Sequence, residues 1–294
     1  MVERISIGRR VFIISNYTLL ISLSILCLVP LIHIFAVSLS SKSAAAGGFV
    51  SLWPVEVTLD SYRYVLNKSE FVASMYVTLQ RIAAGVSVNM LMTVLIGYPL
   101  SKELQFFRLR TFYAWFFVFT VLIGGGLVPA YMIVRYTGIM DTIWALVLPG
   151  AVPVFSVVLL LNFFRNLPKE LEEAAFMDGA GHWSVLWKIY IPLSAPAIAT
   201  LTLFSTVGHW NSWFDGIIYM NSPSNYPLQS YLRTVVIERD MEFLSTTDPA
   251  MLQSVSDRTS KAAQIFVGAL PILMLYPFLQ RFFMKGIVVG SVKE

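Results

Sequence analysis

The 294-residue chain has little of what soluble enzymes are built from. Only 13% of it is charged, against 56% apolar; an ordinary soluble domain carries about 25% charged residues. It has one cysteine, Cys27, so no intrachain disulfide can form and no thiolate metal site can be assembled. Its three histidines, His33, His182 and His209, show neither metal-ligand spacing nor a paired carboxylate pattern, and structural roles are expected for each. No H-E-x-x-H, G-x-S-x-G or G-x-x-x-x-G-K-[ST] occurs; Gly124-Gly125-Gly126 lies in an apolar stretch with no Lys-Ser/Thr after it. These absences argue against an intramembrane hydrolase and against an ATPase in this chain.

What is present is length without charge. Val11–Ser41, Ile82–Ser101, Phe112–Val134, Thr142–Phe164, Ile189–Phe214 and Ala262–Gln280 each lack a formal charge over 31, 20, 23, 23, 26 and 19 residues. A helix needs roughly 20 mostly apolar residues to cross a bilayer. The expectation is therefore an all-α polytopic membrane protein with six transmembrane helices in a single domain over residues 1–294. Mean hydropathy of +0.69 agrees. Arg135, Gly138 and Asp141 mark a turn between the third and fourth spans. The first span carries no small-residue cleavage site and is expected to be retained. Almost no carboxylates fall inside the spans, Asp141 and Asp215 lying near their ends. That counts against the competing reading, an ion-coupled secondary transporter of a small polar solute, which would need midplane acids or broken helices.

With the N-terminus inside, twelve Lys and Arg fall on the cytoplasmic segments and eight on the longer outer loops. Both termini are therefore expected in the cytoplasm. The net charge of +4 then needs no nucleic acid. The segment 166–192 also falls inside. In it Pro168 suits a helix start, Glu170, Glu172 and Glu173 suit the positive helix end, and Gly179 suits a stop, which predicts a helix over 168–178. Leu171, Ala174, Ala175 and Asp178 would share one face, its small alanines letting another protein approach. A second helix is expected over 182–190, striped by Trp183, Leu186, Trp187 and Tyr190.

Glu173-Ala174-Ala175, Asp178-Gly179-Ala180, Ile189 nine residues beyond, and Pro192 together resemble the cytoplasmic EAA loop of binding-protein-dependent ABC importers. Trp210-Asn211 with Phe214, Tyr226-Pro227-Leu228 and the run Gln280 to Gly286 are similar to the carbohydrate branch, above all to the shorter permease of maltose-type importers. The likeness runs from about residue 71 to 285. Two departures stand out: Met75-Tyr76-Val77-Thr78-Leu79, where relatives usually place Asn before Thr/Ser-Leu, leaves the start of the second span open, and Ile191 replaces the usual Leu.

The resemblance implies a non-catalytic permease in a bacterial inner membrane. Its partners would be a homologous second permease, two ATPase subunits using ATP and magnesium, an extracytoplasmic sugar-binding protein and membrane lipid. No cofactor is expected in this chain. The resemblance makes Leu171, Glu173, Ala174, Ala175, Asp178, Gly179, Ala180, Ile189 and Pro192 the ATPase-coupling residues, and Gly286 to Glu294, within the cytoplasmic tail 281–294, a second coupling element. It leans toward oligosaccharide cargo, including acidic fragments of alginate or pectin type. From the residues themselves, Arg81, Trp210, Asn211, Trp213 and Asp215 are candidates for the substrate path. Arginine at mid-membrane costs roughly 2.5–3.5 kcal/mol and must face protein or water, unless it sits at headgroup level. The tryptophans could equally stack on sugar, form an interfacial belt or pack on the partner. The loop over 221–261, near neutral in charge, is expected to face the binding protein.

Overall fold

The computed structural model describes residues 7–238 and 257–291, with side chains through 234, over 257–274, and at 277. The part of the 221–261 loop beyond 238 and up to 256, and the last three residues of the expected tail element, lie outside the described residues. Every regular element among the described residues is helical. That is the economical answer for a chain this apolar, because a helix satisfies its own backbone polar groups without water.

The chain divides into two compact units. The first comprises residues 1–69 and 234–270. It holds α1 (Ile7–Ser38), α2 (Lys42–Ala46) and α3 (Asp60–Asn67). Only Ala36, Val37 and Ser38 of α1 are buried, and most of the rest of the helix is exposed. Its core is small: Ala36, Val37, Ala44, Ala45 and Val50 pack with Ala262, and Phe35 meets Phe266 at 4.6 Å between centroids.

The second unit, 70–233 with 271–294, holds most of the molecule. Its first helix, α4 (Ser69–Ser101), is continuous over 33 residues. α5 (Arg110–Leu122) and α6 (Leu127–Tyr136) follow, bent by 111° at a break. α7 (Ile143–Val147) leads through a short 3₁₀ turn to α8 (Val154–Arg165), bent by 50°. α9 (Lys169–Met177), α10 (His182–Val185), a π turn over Leu186–Tyr190 and α11 (Ile191–Leu193) form the segment between α8 and α12 (Ala195–Asn211). α13 (Phe214–Tyr219) and α14 (Leu228–Glu238) come next, and α15 (Asp257–Ser291) closes the chain.

Several expectations change here. α4 begins at Ser69, not near residue 82, so the irregular Met75–Leu79 stretch lies well inside a helix. The expected spans 112–134 and 142–164 are each broken, the first at Ile123–Gly126 and the second at Ala151–Pro153. Pro153 cannot donate a backbone hydrogen bond, and Gly126 takes φ +81, which is why apolar composition alone does not keep these helices straight. Two helices among the described residues, α1 and α4, are long and apolar enough to cross a membrane, or up to five spans if each bent pair counts once. The sixth expected span, 262–280, falls within α15. The turn at Arg135–Asp141 is where it was expected: Gly138 takes φ +71 and Asp141 φ +57. Asp141 accepts from the backbone N–H of Asn221 at 3.0 Å and from the Ser222 hydroxyl at 3.2 Å, tying this turn to the one after α13.

Candidate coupling element and the buried polar network

Pro168 sits at the N-cap of α9, one position earlier than expected, with Glu170 and Glu172 in the first turn where the helix end is positive. The far end is a Schellman stop. Ala180 N–H donates to Ala175 C=O at 2.9 Å and Gly179 N–H to Phe176 C=O at 3.0 Å, with Gly179 at φ +80. A Cβ at 179 would meet nothing within 4 Å. The demand on this position inside the chain is conformational, not a matter of space.

The helix is rolled differently from the expectation. Leu171, Glu173, Ala174, Asp178 and Gly179 are exposed, whereas Glu172, Ala175 and Phe176 turn inward. Ala175 therefore leaves the face it was expected to share with Leu171, Ala174 and Asp178. Residues 172, 175 and 176 follow i, i+3, i+4 spacing, and that face wins because it buries the one large aromatic group on α9. Ala175, Phe176, Ala180 and Ile189 pack on a core containing Tyr98, Phe164, Val185, Leu186 and Tyr190. Pro192 is exposed. The expected stripe of the second helix also splits. Leu186 and Tyr190 are buried with Val185, while Trp183 and Trp187 are exposed. The π turn over Leu186–Tyr190 inserts an extra residue and resets the helical register.

A buried ion pair joins this element to the end of α4, beside a hydrogen bond between Tyr98 Oη and His182 Nδ1 at 3.2 Å. Lys102, just past the end of α4 and 8% exposed, donates to Glu172 Oε1 at 2.6 Å and to Tyr190 Oη at 3.0 Å. Its ammonium stands 4.0 Å from the centroid of the Tyr98 ring and 4.1 Å from that of Tyr190. Tyr190 donates in turn to Glu172. Burial pulls the Lys102 pKa below its ordinary value, and Glu172 opposes that shift. Because both charges are largely out of water, removing one partner costs far more than breaking an exposed pair such as Lys169–Glu103. Sequence reading missed Lys102, Glu172 and Tyr190 as a unit; the only available signal was a lysine directly after 20 uncharged residues.

Deeper in the unit, α4 turns polar side chains inward. Ser74, Thr78, Arg81, Asn89 and Thr93 are buried at helical spacing, with Gly85 among them and Gly97 one turn beyond. Arg81, 3% exposed, forms a bidentate pair with Asp215, one arm at 3.1 Å. It also donates to the Ser212 carbonyl and to His209 Nδ1, each at 3.4 Å. A guanidinium has no lone pair to offer, so His209 must accept at Nδ1 and carry its proton on Nε2. That Nε2–H donates to Asn89 Oδ1 at 2.8 Å. Ser205 donates to the same oxygen at 2.9 Å, and Asn89 Nδ2 reaches the Gly150 carbonyl at 2.7 Å. α12 approaches so closely that a Cβ on Gly85 would strike the His209 ring. The network therefore binds α4 to the break before α8 and to the α12–α13 turn.

Of the substrate-path candidates, Arg81 and Trp210 are both 3% exposed, and Arg81 is paired with Asp215, whose side chain is 24% exposed. Arg81 lies twelve residues into α4, which begins at Ser69. Asn211 is exposed, and Trp213 is half-buried with Arg233 4.2 Å from its ring centroid.

Residues 89–289 match the family described as binding-protein-dependent transport system inner membrane component. The chain is 38% identical to Protein LplC of Bacillus subtilis (strain 168), over 97% of this chain and 95% of that one. It is 35% identical to the polygalacturonan/rhamnogalacturonan transport system permease protein YtcP of the same organism, over 97% and 99%. In a crystal structure of a bacterial ABC transporter involved in import of the acidic polysaccharide alginate, one chain matches with a TM-score of 0.87 and 32% identity, over 95% of this chain and 98% of that one. The chain belongs to the binding-protein-dependent transport system inner membrane component family. It is a multi-pass permease, not the subunit that hydrolyses ATP.

Proposed function

We propose that the chain is one of two homologous permease subunits of an ABC importer that carries acidic oligosaccharides delivered by an extracytoplasmic binding protein. In this reading six spans cross the membrane, both termini are cytoplasmic, and 166–192 docks on one of two ATPase subunits that use ATP and magnesium. The observation that carries the reading is the α9 element, with one face exposed and the other locked to α4 through Glu172, Lys102 and Tyr190. An exposed face alone could dock; only an anchored one can transmit force.

The transmission route follows from α4 being one helix. Lys102 lies 21 positions after Arg81, about 32 Å along the axis at 1.5 Å per residue. A push on α9 moves Lys102, α4 carries the displacement, and Arg81 moves the Asp215 turn between α12 and α13. ATP and the loaded binding protein shift this equilibrium only by their differential affinity for its two states.

The acidic cargo is supported by the relatives named for polygalacturonan/rhamnogalacturonan and alginate. With Arg81 neutralised by Asp215, the better candidate for a cargo carboxylate is Arg233, which is exposed and stacked on Trp213.

The test is affinity purification of the tagged chain from membranes co-expressing its partner subunits, alongside uptake assays. An ATPase should co-purify, and Gly179→Trp should abolish uptake while the protein stays in the membrane. Recovery without any ATPase, or normal uptake by the Trp variant, overturns the reading.

A further inference from the structure

α5 and α8 enclose a groove that the transport reading does not use. It has a volume of about 370 Å³ and is walled by Ala114 and Val118 of α5 and Val154, Val158 and Leu161 of α8. A second recess of about 170 Å³, with no polar lining, shares Val118, Val154 and Val158 and extends the apolar wall. The polar lining of the larger groove includes two arginines, Arg110 at the start of α5 and Arg165 at the end of α8.

Those arginines hold more positive charge than the protein around them uses. Arg110 donates one arm to the Lys102 carbonyl and Arg165 one arm to the Leu100 carbonyl, both at 3.1 Å. Among the described residues neither forms an ion pair, and the two guanidinium groups repel each other. Glu103 is the acid that acts on Arg110, but its carboxylate is engaged by Lys169. The Nε–H of Arg110 is buried with no hydrogen-bond partner. Two guanidinium groups that line one groove and repel each other are suited to a phosphate.

We propose that this groove binds one anionic phospholipid of the leaflet on the side of the 166–192 segment. Its phosphate would sit between Arg110 and Arg165, and one acyl chain would lie along Val118, Val158 and Leu161. The charged end and the apolar length each match one half of that ligand, and basic pockets between spans are a known setting for anionic headgroups. A zwitterionic lipid would fill the groove without answering the surplus charge.

The test uses the detergent-purified full chain with whatever subunits co-purify, read by native mass spectrometry after incubation with phosphatidylglycerol or with phosphatidylcholine of the same acyl chains. One retained phosphatidylglycerol is expected, with Arg110→Gln and Arg165→Gln each weakening retention about fivefold, from ~1 kcal/mol per basic residue. Arg110→Lys should keep it. Val158→Trp, which fills the groove and leaves both arginines in place, should lose it. Inorganic phosphate should not displace the lipid. Equal retention of the two lipids, displacement by phosphate alone, unchanged retention in the Gln and Trp variants, or no phosphatidylglycerol on the unmodified protein would each overturn the proposal. The outcome is independent of whether an ATPase co-purifies.

Discussion

α1 and α4 are both apolar helices of more than 30 residues, and both are long and apolar enough to cross a membrane. They do opposite things. α1 buries three residues at one end and leaves most of the rest exposed. α4 buries eleven residues along its length, and six of them are Ser74, Thr78, Arg81, Asn89, Thr93 and Tyr98. In lipid the apolar side chain is the one that can face outward, so a helix with a specific partner is marked by its polar stripe. The lesson is that residues which look like defects in an apolar run are the ones with a neighbour to find.

The sharpest way to break this contrast is at Asp215. Asp215→Ala leaves Arg81 buried without its counter-charge and should cost about 3–5 kcal/mol, seen as loss of membrane-inserted protein or of thermal stability in detergent. Pairing Arg81→Met with Asp215→Leu should recover most of that loss. If Asp215→Ala is as stable as the unmodified chain, the inward polar face of α4 is not what holds α12 and α13.

Lys102→Met comes next, at about 2 kcal/mol for lost charge-assisted bonds, because Glu172 keeps the Tyr190 hydroxyl. Its functional signature should be larger than its stability cost: ATP hydrolysis continuing in the assembled transporter while uptake falls. Equal loss of both activities would instead mean assembly had failed.

Gly179→Ala should cost roughly 1–2 kcal/mol for forcing a Cβ into a left-handed conformation, and Gly179→Asn less. Protease accessibility of the 178–182 turn would report it. Similar behaviour of the Ala and Trp variants in uptake would locate the demand in backbone conformation; a much worse Trp variant would point to a partner surface pressed against the turn. The smallest effect belongs to α1. Leu23→Ala, at an outward-facing position, should stay within about 0.5 kcal/mol by thermal melting in detergent. A large loss there would mean that α1 has a specific partner after all.

The α9 element was legible because its signals are local. Pro168, the early glutamates and Gly179 each report on a neighbour only a few residues away, and the helix bounds moved by a single position. The breaks at Ile123–Gly126 and Ala151–Pro153 were written in Gly and Pro, but apolarity hid them. The Arg81–Asp215 pair was not legible. Both residues stood out singly as charges beside apolar runs, yet 134 positions separate them. The inward face of α9 was missed for a related reason: four residues at helical spacing fit the sequence, and which face turns inward depends on Phe176 finding its core.

Composition and charge spacing alone determined that this chain is helical and membrane-embedded, because lipid tolerates few other backbones. They also fixed where the α9 element starts and stops, since caps act over a single turn. Only the tertiary structure decided what each buried charge is for. An ion pair needs two residues a few ångströms apart, and that closeness is set by the packing of α4 against α12 and α13, which no local pattern encodes.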